Sequence, residues 1–295
     1  MSGYVDAHHH IWRVQDLAWL SGPMIPRIFG PYESLQQRDY LAAEYGAEAA
    51  AHGFTQSVYV QANWPLERSL DEVRWVQAQH DETGWPSAIV GSADLFDPQV
   101  RAVLEAQAKA SPLMRGTRLQ LHWHEHEAFR FASGPDRMLD PTFNENLGLV
   151  EALGWVFELQ VFPNQLEGAK RLLEAHPGLT FVLIHAGMPI EGEPWGEALA
   201  ALGQYPNLTV KLSGQGTFIR RVDPDWIRTV TRAVVDAFGA ERAMFGSNFP
   251  VESIWTDFSG LVEAWFAVLA DFPQEVRDDI SGLTARRVYR LVSRR

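Results

Sequence analysis

The feature that most constrains the fold is an alternation of short β-prone runs with helical patterns along the whole chain. The β-prone runs cover residues 4–10, 57–62, 87–94, 114–121, 155–161, 180–187, 208–214 and 243–249. The helical patterns include residues 66–83, 98–109, 144–153, 165–175 and 224–238. This alternation predicts a parallel sheet with helical crossovers, and eight strands favour closure into a (β/α)8 TIM barrel. An open, doubly wound sheet is the competing interpretation, but no glycine-rich fingerprint follows the first run.

Turn and cap signals support one continuous domain. Asp97 precedes Pro98 and Asp223 precedes Pro224, and a capping acid before proline is typical of a helix start. Two connections are long, at residues 11–39 after the first predicted strand and 122–143 after the fourth. Long loops in compact domains are commonly lids or binding elements. No linker, low-complexity tract or repeat marks a boundary, so the prediction is a single α/β domain over residues 1–295.

Composition excludes several classes of function. The chain has 46% hydrophobic and 12% aromatic residues, which argues against disorder. It has no cysteine, which excludes disulfides, iron–sulfur clusters, thiolate zinc sites and a cysteine nucleophile. A net charge of −12 disfavours nucleic acid and membrane surfaces as partners, although a pocket that binds a small anion remains compatible with it. No targeting segment or membrane-spanning run is visible, so a cytoplasmic protein is expected; a homo-oligomer is an open alternative.

Two histidines at the end of the first predicted strand are candidate site residues. Side chains alternate along a strand, so His8 and His10 share one face while His9 points away. The carboxyl ends of barrel strands carry the chemistry of this fold, and two imidazoles at this spacing are able to chelate one metal ion. The competing interpretation is a pair of polar residues that cap the core.

Two further candidates end the sixth and eighth predicted strands. His185 follows an apolar run and shares its parity with Leu183; it is either a core histidine or a site residue. Asn248 shares a strand face with Gly246. An amide orients water or holds a carbonyl but serves poorly as a base, and the alternative role for Asn248 is a turn residue before Pro250.

Charged residues on the middle strands are candidate substrate ligands. Arg118, on the fourth predicted strand, is suited to bind a carboxylate with both arms, or forms an ion pair within the barrel. Lys211, on the seventh, binds an anion or pairs with Glu158 on the fifth. Glu158 is also the best buried carboxylate if the site needs a replacement base.

Two remaining features lie in connections. The run from His122 to His126 places histidines two apart, which suggests either a second metal site or, more simply, a lid surface or pocket wall that uses Trp123 as a substrate contact. Glu252 follows the turn after the eighth predicted strand and is close enough in sequence to lean back into the barrel mouth.

An ordered set of motifs resembles one known family. The segments are DAHHHIW at 6–12, VQA at 60–62, RGTR at 115–118, HAGMP at 185–189, KLSG at 211–214, FGSNFP at 245–250 and LTARRVYRL at 283–291. Their order and spacing are similar to those of the amidohydrolase-related proteins, in the branch with sugar-acid lactonases and 2-pyrone-4,6-dicarboxylate lactonase. The resemblance covers essentially the whole chain.

The resemblance implies a (β/α)8 barrel that opens small lactones, sugar-acid or carboxylated, by attack of water on the carbonyl. It implies a small anionic substrate and, in some members, one divalent ion, zinc or manganese; others work without metal. By position, His8, His10 and His185 match the family's histidines. They are therefore the candidate metal ligands or carbonyl-polarising groups, with Arg118 and Lys211 holding the substrate's charge.

The departure from the family lies at Asn248, where the resemblance implies an aspartate that serves as base and acid. Three explanations follow: an engineered replacement, a natural subgroup with another base such as Glu158 or a histidine, or a different role. The different role is either lyase chemistry, such as decarboxylation or hydration, or ligand binding without catalysis.

Overall fold

A computed structural model describes residues 3–292, which form eight parallel strands in sequential order. The strands are β1 (Tyr4–His9), β2 (Phe54–Val60), β3 (Ala88–Gly91), β4 (Met114–Arg118), β5 (Val156–Leu159), β6 (Phe181–Leu183), β7 (Leu208–Leu212) and β8 (Ala243–Phe245). All seven consecutive pairs are parallel. The sheet closes beyond β8, where the amide of His10 donates to the carbonyl of Phe249 over 2.8 Å. The predicted TIM barrel is therefore confirmed.

Helices surround the barrel and connect its strands. They are α1 (Ala18–Ser21), α2 (Ala42–Ala51), α3 (Ser69–Thr83), α4 (Arg101–Ala110), α5 (Pro141–Ala152), α6 (Leu166–Ala175), α7 (Gly196–Leu202), α8 (Gln215–Ile219), α9 (Pro224–Phe238), α10 (Phe258–Leu269), α11 (Gln274–Asp278) and α12 (Thr284–Val288). Short 3-10 turns span Val14–Asp16, Glu33–Gln36, Leu66–Arg68, Glu127–Phe129, Arg137–Leu139, Pro163–Gln165, Ile184–Gly187, Ala240–Arg242 and Val251–Ile254, and a π turn spans Asp279–Leu283.

The two predicted helix starts have different outcomes. Asp223 caps α9 as expected, because its carboxylate accepts the amides of Asp225 and Trp226. The prediction at Pro98 was wrong by three residues, since α4 begins at Arg101. The Asp97 carboxylate instead accepts the amide of Gln99 in a turn that precedes the helix.

The barrel encloses small aliphatic side chains at its lower end. Val58, Val90, Val156 and Val182 pack there in one cluster with Tyr289 from the segment after α12. A larger apolar cluster fills the layer between the strands and the helices. The C-terminal segment therefore closes the lower end, while the carboxyl ends of the strands open at the other. Across residues 3–292, no helix is long and apolar enough to span a bilayer.

Candidate active site

The barrel mouth brings three histidines from distant parts of the chain together. The ring of His8 lies 5.0 Å from that of His10 and 4.9 Å from that of His185, measured between centroids. His9 points the other way and stacks on Tyr45 of α2 at 3.6 Å. At the end of β1, His8 and His10 therefore face the barrel mouth while His9 faces the surrounding helices, as the alternation of side chains predicts.

A register shift in β1 accounts for the position of His8. Its pairing with β2 is irregular between Asp6 and His9. Ala7 packs in the barrel interior, while the Asp6 carboxylate accepts the hydroxyl of Tyr45 outside it. Both Ala7 and His8 therefore face inward, as in a β-bulge, which re-aims side chains next to a site.

His185 reaches the mouth by a route that strand parity does not predict. β6 ends at Leu183, whose side chain packs outside the barrel. His185 and Ala186 then adopt left-handed backbone angles, with φ of 54° and 53°. Non-glycine residues rarely adopt this conformation, and it commonly marks functional positions. The turn directs His185 into the mouth, where its Nδ1 lies 2.9 Å from the hydroxyl of Ser213.

A cavity of about 780 Å³, including its solvent-open mouth, lies above these histidines. The loop after β1 supplies Trp19 and Phe29 to its wall, and the loop after β4 supplies Arg130. Both long connections therefore contribute to the cavity wall. Arg27 and Arg118 add two more guanidinium groups, and no acidic side chain is among the described residues that line the cavity. The cavity is thus cationic within a chain whose net charge is −12.

Arg118 is a fixed cation in the cavity wall. Its side chain is buried, and its Nη2 donates to the carbonyl of Gln61 over 2.5 Å. Nη1 lies 3.5 Å from the Gln160 side-chain oxygen, and Nε has no hydrogen-bond partner within the described part of the chain. Burial lowers the pKa of Arg118 to about 10, so it stays protonated near neutral pH.

The three imidazoles are uncharged near pH 7. Burial, and then the charge of Arg118, lowers the pKa of His10 to about 3. Burial lowers the pKa of His8 and His185 well below the ordinary value, with Lys211 adding to the effect at His8 and Arg118 at His185. His10 must donate through Nδ1, because its partner over 2.7 Å is the carbonyl of Val60. A neutral His10 therefore carries its lone pair on Nε2, and its ring also interacts with the Asn248 side chain.

Lys211 and Glu158 lie below the cavity. The Lys211 Nζ contacts the Glu158 Oε1 over 2.6 Å, and neither side chain is exposed or lines the cavity. Tyr289 donates to the same oxygen over 2.6 Å. Of the two roles considered for Lys211, the structure shows the ion pair; Glu158 is occupied by two donors.

The histidine run after β4 divides between the cavity and its rim. His122 lines the cavity. Trp123 does not; the Arg130 guanidinium lies 5.2 Å from its ring centroid. His124 faces away from the cavity, with its Nε2 3.2 Å from a carboxylate oxygen of Glu193. Trp123 thus packs against Arg130, which lines the cavity, without lining it itself.

Asn248 joins the cavity to a buried carboxylate. It has a φ of 55°, and its backbone amide donates to the backbone carbonyl of His8 over 2.7 Å. Its side-chain Nδ2 lies 3.2 Å from the Thr217 hydroxyl and 3.3 Å from the Glu252 Oε1. Thr217 lines the cavity and Glu252 does not. The sequence offered no signal for Thr217, which lies in α8 and reaches Asn248 because β7 and β8 are neighbouring strands.

The described residues do not fit a divalent metal ion. Between residues 3 and 292, no group of three or more histidine, aspartate or glutamate side chains is arranged to hold one. Lys211 Nζ lies 3.5 Å from His8 Nδ1. This contact leaves the ring hydrogen of a neutral His8 on Nε2, which removes that nitrogen as a ligand.

Comparisons with known proteins place this geometry among relatives. The amidohydrolase family model matches residues 5–291. An uncharacterised protein, y4mH, of Sinorhizobium fredii is 27% identical, with 97% of this chain and 98% of the relative covered. An L-fucono-1,5-lactonase of Burkholderia multivorans is 29% identical, with 97% and 96% covered. The crystal structure of a B. multivorans amidohydrolase with bound zinc has a TM-score of 0.81 at 26% identity, covering 98% of this chain and 99% of the other.

Proposed function

The chain belongs to the amidohydrolase family and is an enzyme, and we propose that it hydrolyses a small lactone that carries a carboxylate. One observation carries the proposal: the cavity combines three guanidinium groups and uncharged imidazoles with no acidic lining residue in the described chain. Such a lining suits an anionic substrate whose carbonyl gains negative charge during attack. The relatives named as lactonases support the reaction class.

Arg118 is proposed to hold the anionic group of the substrate. Its Nη2 is anchored to the carbonyl of Gln61, while its Nε lacks a partner among residues 3–292. A planar guanidinium held in this way is preorganised for a carboxylate or a developing oxyanion, and charge-assisted hydrogen bonds are stronger than neutral ones.

His10 and His185 are proposed to orient the water and the lactone carbonyl. Both are neutral, and the lone pair of His10 Nε2, beside the Asn248 side chain, accepts a hydrogen from water. With a pKa of about 3, His10 does not retain a proton at neutral pH. It therefore positions the nucleophile rather than deprotonating it, and proton transfer requires another group.

The direct test is ring opening of a panel of sugar-acid and carboxylated lactones, followed by acid release. We expect turnover to persist after a chelator removes metal and to change little with added zinc or manganese. Absence of turnover with every lactone, with and without these ions, would contradict the proposal. Carbon dioxide release or a new double bond would identify a lyase, and thermal stabilisation by a ligand without product would identify a binding protein.

Arg118→Met tests substrate recognition. It removes charge-assisted contacts worth ~3 kcal/mol, so we expect kcat/KM to fall about 100-fold. The control is Arg115→Met on the same strand, because Arg115 contacts the carbonyls of Pro112 and Met114 and does not line the cavity. An equal effect of both substitutions would contradict a specific role for Arg118.

A further inference from the structure

A chain of three side chains leads from the cavity into the protein behind Asn248. Thr217 lies in α8, after β7, and Glu252 lies in the turn after β8. The Thr217 hydroxyl donates to the Glu252 Oε1 over 2.9 Å. Asn248 donates to both oxygens. The Asn248 side-chain amide thus bridges the two oxygens and holds them next to each other.

The Thr217 hydroxyl has the polarity that proton transfer requires. It accepts a hydrogen from Asn248 and gives its own to Glu252. A hydroxyl oxygen has two lone pairs, so one acceptor position is left. Because Thr217 lines the cavity, a water molecule there is able to donate to that position. Hydrogen bonds then run in one direction, from water through Thr217 to Glu252.

Glu252 is held in a space built for a carboxylate. It is only 1% exposed, and its Oε2 has no hydrogen-bond partner in the described chain. A Cβ placed on Gly216 would lie 2.1 Å from Oε2, so a glycine is required there. A second cavity of about 260 Å³, open solvent included, is lined by Glu252 and is separate from the first.

Within residues 3–292, no charged group forms an ion pair with Glu252. Arg221 and Asp223 line the second cavity, and they form ion pairs with each other and, for Arg221, with Glu191. On the other side, beyond Asn248, the cavity presents His10, His185 and Arg118. The hydrogen bonds of the Glu252 carboxylate thus come from two neutral donors, which leaves it free to take up a proton.

Resting on the proposed function, we propose that Thr217 and Glu252 form a proton relay that replaces the carboxylate expected at position 248. Thr217 is the catalytic residue that contacts the attacking water. Glu252 acts through Thr217 and positions its hydroxyl while storing the proton. Asn248 holds the two oxygens together through its side-chain amide.

The steps balance without a co-reactant. The water oxygen bonds to the lactone carbonyl carbon, its proton passes to the Thr217 Oγ1, and the Thr217 proton passes to the Glu252 Oε1. When the tetrahedral intermediate collapses, the bond between the carbonyl carbon and the ring oxygen breaks. The proton returns through Thr217 to the leaving alkoxide. Glu252 is again ionised, and the new carboxyl group releases its own proton to solvent.

The acidity of Glu252 suits this task. Burial raises its pKa to about 7, against the opposing effect of hydrogen bonds from Thr217 and Asn248. A group that accepts and returns a proton works best when its pKa lies near the working pH. The ionised relay therefore becomes available as the pH rises through about 7.

The test compares Glu252→Gln, Thr217→Val and Thr217→Ser with the natural enzyme on a lactone that it opens. We expect Glu252→Gln and Thr217→Val to lower kcat about 100-fold or more, with KM nearly unchanged. The natural enzyme and Thr217→Ser should lose kcat below about pH 7, whereas Glu252→Gln should lack this acidic limb. Glu263→Gln, on the exposed face of α10, is the control and should keep natural activity.

Three outcomes would overturn the relay. A Glu252→Gln enzyme that retains the natural kcat and acidic limb would show that Glu252 takes no part in the relay. A fully active Thr217→Val enzyme would show the same for Thr217. Thermal unfolding of each variant separates misfolding from lost chemistry, since the conservative Thr217→Ser enzyme must restore activity. If the natural enzyme opens no lactone, the proposed function fails and the relay falls with it. If the natural enzyme is active and the variants are unaffected, the relay alone fails.

Discussion

Two buried glutamates near the same imidazoles have opposite kinds of partner. Glu158 accepts an ammonium from Lys211 and a hydroxyl from Tyr289. Glu252 accepts a hydroxyl and an amide from uncharged side chains. Burial is nearly complete for both. The charge of the partners, rather than burial, therefore separates a structural carboxylate from one able to exchange protons.

The Glu158 cluster links three separate parts of the barrel. Glu158 belongs to β5, Lys211 to β7, and Tyr289 to the C-terminal segment. The Glu252 carboxylate, in contrast, accepts side-chain hydrogen bonds from Thr217 and Asn248, the two residues that join it to the cavity. Substitutions in the first cluster should mainly change stability, and substitutions in the second should mainly change the response to pH.

The largest effect is expected from Lys211→Met. It leaves the Glu158 carboxylate buried without its cation, and breaking a buried pair in this way costs about 3–5 kcal/mol of unfolding free energy. Urea denaturation measures the loss. The double variant Glu158→Gln with Lys211→Met removes both charges and should recover most of it. A loss below about 1 kcal/mol for the single variant would show that the pair is not a stabilising link.

The next effect is the pH dependence that Glu252 gives to stability. Its pKa is raised from 4.5 to about 7, so the folded protein retains a proton that the unfolded chain releases. The stabilisation is fully present below about pH 4.5 and is lost as the pH rises through about 7. The loss amounts to about 3 kcal/mol.

Glu252→Gln should remove this dependence. The unfolding free energy of the natural protein should fall relative to that of the variant between about pH 4.5 and about pH 8. Urea denaturation of both proteins across this interval gives the difference. Parallel pH curves would mean that Glu252 titrates no differently in the folded and unfolded chain.

A smaller effect is expected from Gly216→Ala. Its Cβ would overlap the Glu252 Oε2, so the carboxylate or the loop must move, at a cost of ~1–3 kcal/mol. The matched control is Gly148→Ala on the exposed face of α5, where no atom lies within 4 Å of the added Cβ. That change should stabilise the protein by up to ~1 kcal/mol. Thermal unfolding compares them, and equal effects would contradict a tight Glu252 site.

The smallest effect concerns the identity of residue 248. Asn248→Asp places a second carboxylate near the Glu252 Oε1, and like charges raise the pKa of such a pair. We expect the acidic limb of kcat/KM to move upward by about one pH unit, equivalent to ~1.4 kcal/mol. A large gain of lactonase activity at neutral pH would instead show that the natural amide disables the site.

The fold was predictable because two periodicities run through the chain. Strand and helix patterns gave all eight strands, and parity placed His8 and His10 together. The predicted strands were too long at their carboxyl ends; β6, for example, ends at Leu183 rather than in the HAGMP segment. There the backbone turns at His185, and a left-handed turn leaves no mark in a hydrophobic pattern.

The site was predictable only where its residues follow strands. The pairing of Lys211 with Glu158 was among the predicted alternatives, because both side chains face the barrel interior. Thr217 lies in α8 and Glu252 in the turn after β8, and no sequence spacing encodes their separation. The Glu252 carboxylate lies behind Thr217 in the cavity wall. Its position there depends on the space left by Gly216.

The contrast between the acidic molecule and its cationic cavity determines how an anionic substrate associates with the protein. Within a screening length of ~10 Å of the outer surface, an anion experiences the repulsion of a chain with a charge of −12. Only within the mouth does it meet Arg27, Arg118 and Arg130. Capture is therefore local, without long-range steering, and added salt should quicken encounter by screening the outer repulsion. Long-range electrostatic attraction therefore adds nothing to the rate at which an anionic substrate associates with this enzyme.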